Sequence, residues 1–183
     1  MNLGATSETD YGDYFQWGST TPNTADECTW KNAPFNNESD SYNEEYFTTH
    51  KSEWLDNNGN LKPEFDAATQ IMGGDWRMPT EAEIRELINN TTKEWITNFN
   101  GSGVNGRKFT SKTDTSKYIF IPAAGFCYND SVNYVGRNGY VWSSSLNASN
   151  PNNAQYLAFS SDNCNVGSNG NRDGGQPVRG VRK

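Results

Sequence analysis

Two short helices, followed by several short strands joined by long loops, predict an α+β domain. Three observations carry that expectation. One helix is capped and amphipathic, a set of β-prone runs is closed by proline or glycine, and the linking segments are rich in Asn and Gly. A chain of 183 residues suits one domain, residues 1–183. At that size roughly 70% of the unfolded chain's surface can be buried.

The first 60 residues hold few periodic segments. Tyr11-Gly12-Asp13-Tyr14-Phe15-Gln16-Trp17-Gly18 is an aromatic cluster bounded by glycine and reads as a core-anchored loop. Residues 19–45 are polar and turn-rich, with Pro22, Pro34 and Asn36-Asn37, and Asp56-Asn57-Asn58-Gly59-Asn60 is a turn. Pro63 to Met72 sets Phe65, Ala68, Ile71 and Met72 near helical spacing, which predicts a short helix. The clearest helix follows. Thr80 serves as N-cap and Glu83 completes a capping box. Ile84, Leu87 and Ile88 form an i, i+3, i+4 apolar stripe, and Asn89-Asn90 ends it. Short strands are expected at Trp95-Ile96 and Arg107-Lys108-Phe109, around a turn from Gly101 to Gly106. Further strands are expected at Tyr118–Pro122, Tyr140–Ser143, Ala154–Ser160 and Pro177–Arg182.

Hydrophobic residues make up only 33% of the chain, yet aromatics reach 13%, which describes a loop-rich globule and not disorder. No apolar run approaches the ~20 residues that cross a bilayer, so no direct membrane insertion is expected. Met1-Asn2-Leu3-Gly4 lacks the basic and apolar regions of a signal peptide. Residues 1–66 hold 13 acids against Lys31, Lys51 and Lys62, a local charge of −10, and the remainder carries +3. Without a basic stripe, nucleic acid is not an expected partner. Cys28, Cys127 and Cys164 allow one disulfide, with the pairing open.

Several motifs fail on inspection. Asp56-x-Asn58-x-Asn60 starts like a calcium loop, but Leu61 stands at the needed glycine and Ala67 at the needed glutamate. Gly101-x-Gly103-x-x-Gly106 lacks a following helix and reads as a hairpin turn. His50, the only histidine, reads as structural or surface. Trp142-Ser143-Ser144-Ser145 lacks a nucleophile elbow and fits a strand with two different faces. Arg179 and Arg182 read as guanidinium groups tying strand ends to carboxylates or carbonyls. Neither a catalytic residue, a cofactor nor a metal site is expected.

The dominant feature is asparagine. It recurs at Asn129, Asn133, Asn138, Asn147, Asn150, Asn152, Asn153, Asn163, Asn165, Asn169 and Asn171, interleaved with apolar Val141, Trp142, Leu157, Phe159, Val166, Val178 and Val181. Turn chemistry accounts for Asn152-Asn153 and Asn169-Gly170. It does not account for a density that persists across predicted strands. Side chains that both donate and accept hydrogen bonds suit adaptable recognition. The apolar set would form the scaffold and the polar set a binding face.

The order of several blocks resembles the Fibrobacter-type major paralogous domain of gut bacterial surface proteins. These are Asn2-Leu3-Gly4-Ala5-Thr6-Ser7, Tyr11 to Gly18, Thr20-Thr21-Pro22, Gly73-Gly74-Asp75-Trp76-Arg77-Met78-Pro79-Thr80 with Glu83, Ile121-Pro122-Ala123-Ala124-Gly125, Gly139-Tyr140-x-Trp142-Ser143-Ser144-Ser145 and Val178-Arg179-Gly180-Val181-Arg182. That family is similar in fold to C-type lectin-like domains, and some relatives are variable proteins of diversity-generating retroelements. The resemblance implies a C-type lectin-like α+β fold with two short helices, small antiparallel sheets and long loops. It also implies a constant scaffold over 1–128 and a variable, ligand-binding region over 129–183. Tyr134, Cys164, Ser168 and Asp173 are residues that one or two adenine changes could produce. Three departures stand out: Gly180 occupies a position usually held by proline, which loosens the last strand; a strand usually precedes the first block; and the Glu-Pro-Asn or Gln-Pro-Asp signature of calcium-dependent sugar binding is missing at Gln176-Pro177-Val178.

The expected function is therefore non-enzymatic binding of a protein or glycan on another cell or surface, by an extracellular or cell-surface domain. The expected contact residues are Asn133, Tyr134, Asn138, Asn147, Asn150, Asn152, Asn153, Gln155, Tyr156, Asn163, Asn165, Asn169, Asn171 and Asp173. Two alternatives are carried. A formylglycine-generating-type enzyme would need paired cysteines, for which Cys127 and Cys164 are the candidates. A fixed structural surface or adhesin domain would need no variable face.

Overall fold

A computed structural model describes residues 1–182 and has a mixed α+β architecture. Three α-helices, α1 (Glu44–Trp54), α2 (Ala67–Met72) and α3 (Glu81–Asn90), accompany twelve short strands. The strands are β1 (Phe15–Gln16), β2 (Trp76–Arg77), β3 (Thr91–Ile96), β4 (Gly106–Ser111), β5 (Tyr118–Pro122), β6 (Phe126–Tyr128), β7 (Ser131–Asn133), β8 (Gly139–Leu146), β9 (Asn153–Phe159), β10 (Cys164–Asn171), β11 (Gly175–Gln176) and β12 (Val181–Arg182). They form four small sheets with antiparallel pairing, in the orders β1-β11-β6-β7, β10-β9-β8, β12-β2 and β3-β4-β5.

In the sheet of β8, β9 and β10, the first two strands are central because they are buried on both faces. Side chains alternate across a strand, and here both sets are apolar. Trp142, Ala154 and Tyr156, with Tyr140 and Ala158 beside them, pack against Phe15, Trp17, Phe47 and Trp54. Val141, Leu157 and Phe159, flanked by Cys164 and Val166, pack against Ile84 of α3 and Phe109 and Ile121 of the β3-β4-β5 sheet. Two indole hydrogen bonds lock the first contact: Trp142 Nε1 donates to Phe15 O at 2.8 Å and Trp17 Nε1 to Ser143 O at 2.9 Å. Both indoles are fully buried, so each N–H needs such a partner.

Helix α3 forms as its sequence predicts. Glu83 N donates to Thr80 Oγ1 at 3.3 Å and Thr80 N to Glu83 Oε2 at 2.8 Å, a complete capping box. Arg77 grips the same carboxylate from β2 at 2.5 and 2.7 Å, and this pairing holds the Glu83 carboxyl down at about 2. Asp66 caps α2 by accepting from Thr69 N at 2.9 Å, and also accepts from Met78 N at 2.9 Å. The Asp56–Asn60 turn closes as an Asx turn, with Asp56 Oδ1 accepting from Asn58 N at 2.8 Å and Asn60 N at 2.9 Å.

Three expectations are corrected. Helix α1 falls in a segment without apolar periodicity; only Phe47 and Trp54 are buried within it. Asn43 caps it, Glu44 and Glu45 occupy its positive end, and tertiary packing stabilises it. His50 belongs to this helix, its ring 4.4 Å from that of Tyr46. Strand β10 is also unanticipated, and Asn169-Gly170 lies within it instead of in a turn. The strand expected over Pro177–Arg182 shrinks to β12, because Pro177 to Gly180 carry no ladder. In β8 the register shifts between Trp142 and Leu146, and Ser143, Ser144 and Ser145 are all buried. Ser143 Oγ donates to Gln155 O at 2.8 Å, and Ser145 Oγ donates to Asn60 Oδ1 at 2.6 Å.

At the end of the chain, Arg179 Nη1 donates to Phe120 O at 3.0 Å and the Arg182 guanidinium lies 5.4 Å over Trp76. Gly180 does more than loosen the last strand. A Cβ there would sit 2.7 Å from Met72 Sδ and 3.1 Å from Trp76 Cε3, so the glycine lets the chain close onto α2 and β2. Cys28 and Cys127 form a disulfide with Cα atoms 6.2 Å apart, tying the loop after Ala25–Glu27 to β6. A disulfide fits an oxidising compartment, and no helix among the described residues is long and apolar enough to cross a membrane.

Replacing Trp142 with Ala removes an indole that both packs and hydrogen-bonds, and should lower unfolding free energy by about 3–5 kcal/mol. Asn150→Ala, at an exposed turn, should stay within about 0.5 kcal/mol. Urea unfolding monitored by circular dichroism measures both.

Candidate ligand-binding face

The asparagine-rich segment resolves into three environments. In the β8–β9 turn, Asn147 Oδ1 accepts from Ser149 N at 3.0 Å and Asn150 N at 3.2 Å, while its Nδ2 donates to Ser168 O at 2.6 Å. Asn150 Oδ1 in turn accepts from Asn152 N at 3.4 Å. These residues do the turn chemistry of asparagine. Asn133 and Asn138 flank the loop after β7, where Gly125 N donates to Asn138 O at 2.9 Å. They are half-buried, whereas Tyr134 between them is 54% exposed, with a left-handed backbone (φ 61°) and its ring stacked 6.0 Å from Phe126.

The second environment is β10, the edge strand of the central sheet. Cys164 and Val166 turn inward to the α3 side. Asn165, Ser168, Asn169 and Asn171 are exposed, as is Asn163 just before the strand. Gly167 and Gly170 let this strand lie directly on the aromatic layer beneath. A Cβ at Gly170 would stand 2.8 Å from Trp142 and 2.9 Å from Tyr156, and one at Gly167 2.6 Å from Tyr156 atoms. The strand thus follows a glycine-dictated path with polar side chains displayed outward.

The third environment is interior: it takes Asn153 and Asp173 off the expected face and leaves little of Tyr156 exposed. Asn153 is 4% exposed and donates from Nδ2 to Asn171 Oδ1 at 2.9 Å. Tyr156 is 8% exposed and donates to Asn169 Oδ1 at 2.6 Å. Asp173 is buried, because after β10 the chain turns inward: Arg172 N donates to Asn152 O and Gly174 N to Asn171 O. Gln155 and Asn152 are half-buried, and each has a side-chain oxygen without a hydrogen-bond partner among the described residues.

Sequence reasoning passed over the residue beside Asp173. Arg172 is fully buried in a cage of rings, its guanidinium 4.0 Å from the Phe47 centroid, 5.4 Å from Tyr42, 5.6 Å from Trp30 and 5.8 Å from Trp17. Nε donates to Pro151 O at 2.8 Å. Burial lowers its pKa to about 10, and the four aromatic faces attract the cation. Nothing in its Asn-Gly context signals this role, since the ring partners lie more than 100 residues away.

Between β6 and β11 on one side and β8, β9 and β10 on the other lies a cleft of about 320 Å³. Its walls carry four rings, Phe126, Tyr128, Tyr140 and Tyr156, and its amides are Asn169, Asn171 and Gln176. Phe126 and Tyr140 meet edge to face at 5.4 Å, and Tyr140 and Tyr156 centroids are 5.8 Å apart. Of the residues expected at a binding face, Tyr156, Asn169 and Asn171 meet here, and Tyr134 stands against the Phe126 wall. Asn147, Asn150, Asn152 and Asn163 lie elsewhere. Phe126, Tyr128, Tyr140 and Gln176 were not expected; the alternation in β8 that puts Tyr140 beside Trp142 was the available signal. The cysteine pair Cys127 and Cys164 is not formed: Cys127 is bonded to Cys28, and Cys164 is free on β10.

Burial raises the Asp173 carboxyl to about 6, opposed by Arg172 and by Gly174 N–H. The folded state therefore holds this proton more tightly than the unfolded chain. The stabilisation is complete below the ordinary carboxylate value near 4 and is lost as pH rises through about 6. Asp173→Asn should flatten the decline in stability between about pH 5 and 7, as read by urea titrations across that range; Glu83 is silent there, because its carboxyl is ionised in both the folded and the unfolded chain. Comparison of the chain with protein-family models, with curated proteins and with solved structures returns no match.

Proposed function

We propose that this chain is a non-enzymatic binding domain with a C-type lectin-like fold. It would take a protein or glycan ligand on the side of the molecule formed by β10, the β6–β8 loop and the intervening cleft. One observation carries the reading. Along β10, the inward side chains and the glycines are constrained by Phe159, Tyr156 and Trp142, while Asn165, Ser168, Asn169 and Asn171 extend to solvent. Folding explains the first group; of the second it uses only the side-chain oxygens of Asn169 and Asn171, which accept from Tyr156 and Asn153. A rigid strand carrying replaceable polar side chains lowers the ordering cost of recognition, because its backbone is already fixed.

The finer reading follows from that division. The resemblance to variable proteins of diversity-generating retroelements gives a reason for asparagine at so many positions whose side chains the fold does not need. It would place the domain at a cell surface or outside the cell. The Cys28–Cys127 disulfide is compatible with that setting. Buried Asn153 and Asp173 belong to the scaffold in this proposal, and the variable set shrinks to Tyr134, Asn163, Asn165, Ser168, Asn169 and Asn171.

Sequencing the 3′ end of the gene and its flank tests the retroelement reading. The expected result is a near-copy of the segment encoding residues 129–183, differing at adenines, with the differences concentrated in the codons of that exposed set. A near-copy without adenines at those codons, or no copy at all, leaves a fixed binding or structural domain.

A further inference from the structure

We infer that the cleft between the two sheets is a saccharide subsite that binds a neutral sugar ring without a metal ion. The inference rests on the binding-domain reading and names the ligand chemistry of one part of that face. Three features of the cleft support it.

The first is the pairing of rings with amides. Tyr140, Tyr156, Phe126 and Tyr128 line a space of about 320 Å³, at the lower end of the ~300–1,000 Å³ of small-ligand sites. A pyranose presents a face of C–H bonds and an edge of hydroxyls. The C–H face suits the negative face of an aromatic ring, and the hydroxyls need donors and acceptors at the rim.

The second is that those donors and acceptors are available. Asn169 Oδ1 accepts from the Tyr156 hydroxyl at 2.6 Å and Asn171 Oδ1 from Asn153 Nδ2 at 2.9 Å. Both amides are thereby oriented, and their Nδ2 groups have no acceptor among the described residues. Gln176 is only 5% exposed, lines the cleft, and its Oε1 has no hydrogen-bond partner among the described residues.

The third is the absence of charge. Neither a carboxylate nor a cation lines the cleft. Phosphorylated and carboxylated ligands would find no counter-charge there, and a calcium ion would find no carboxylate ligands. Uncharged polyols remain as the chemistry that uses every group present.

The test is amide chemical-shift mapping of the purified domain in EDTA against D-glucose, D-galactose, D-mannose and N-acetyl-D-glucosamine with their methyl glycosides. Each is titrated to about 20 mM, above the mM dissociation constant of a weak single-site ligand. At least one sugar should give saturable shifts centred on Gly170, Asn171, Gly174 and Gln176. Asn169→Asp and Asn171→Asp keep the oxygen that accepts internally and remove the outward donor. Each should weaken binding about three- to tenfold, the loss of one neutral hydrogen bond, with the remaining spectrum unchanged. No shift at these four amides with any sugar overturns the inference. So does N-acetyl-L-tryptophanamide shifting them when no sugar does, which would assign the cleft to an aromatic side chain of a protein ligand and leave the binding-domain reading standing. Unfolding of both Asn→Asp variants would overturn both, because the displayed asparagines would then be part of the scaffold.

Discussion

The double burial of β8 and β9 is the constraint on which the rest of the molecule depends. Most small antiparallel sheets bury one face and wet the other. Here Trp142 and Tyr156 on one face and Val141, Leu157 and Phe159 on the other are all nearly or fully buried. One cluster recruits α1 and the N-terminal aromatic loop, and the other recruits α3 and the β3-β4-β5 sheet. A chain with only 33% hydrophobic residues builds its core this way because each strand residue serves one cluster or the other. The aromatic side chains supply the area that scarce aliphatics do not.

That constraint also decides which positions are free of packing. β10 is an edge strand, so it contributes inward residues to one cluster and leaves its remaining positions to solvent. Its path over Tyr156 and Trp142 demands Gly167 and Gly170. An exposed edge invites pairing with other chains, and polar side chains with a register irregularity between Gly167 and Gly170 blunt it. Asparagine side chains along this strand are free of packing only where they point outward. Asn153 of β9, which holds Asn171 from beneath, is fixed by the core.

The sequence made some elements plain and hid others for identifiable reasons. The capping box at Thr80 and Glu83 with the Ile84 stripe is a local signal, and α3 follows it closely. The proline-closed strand at Tyr118–Pro122 and the β3–β4 hairpin are likewise local. Helix α1 was hidden because a run with two buried residues, Phe47 and Trp54, has no readable periodicity. β10 was hidden because Asn and Gly disfavour strands intrinsically, and pairing with β9 overrides that preference. For the site, the exposed asparagines were legible, but the burial of Asp173 and Arg172 was not. Their partners, Gln16, Tyr42 and Phe47, arrive from the far end of the chain. The cleft was only half legible, since Phe126 and Gln176 face it across a sheet boundary that no spacing rule connects.

Native-state hydrogen exchange tests the shared-sheet account most directly. If one doubly buried sheet unites both clusters, the amides of β8 and β9 should be the slowest in the molecule. They should exchange with a single free energy equal to that of global unfolding, together with the core amides of α3 and β1. If instead the cluster under α3 opens separately, with β8 and β9 amides exchanging well below the global value, the two clusters are independent and the account is wrong.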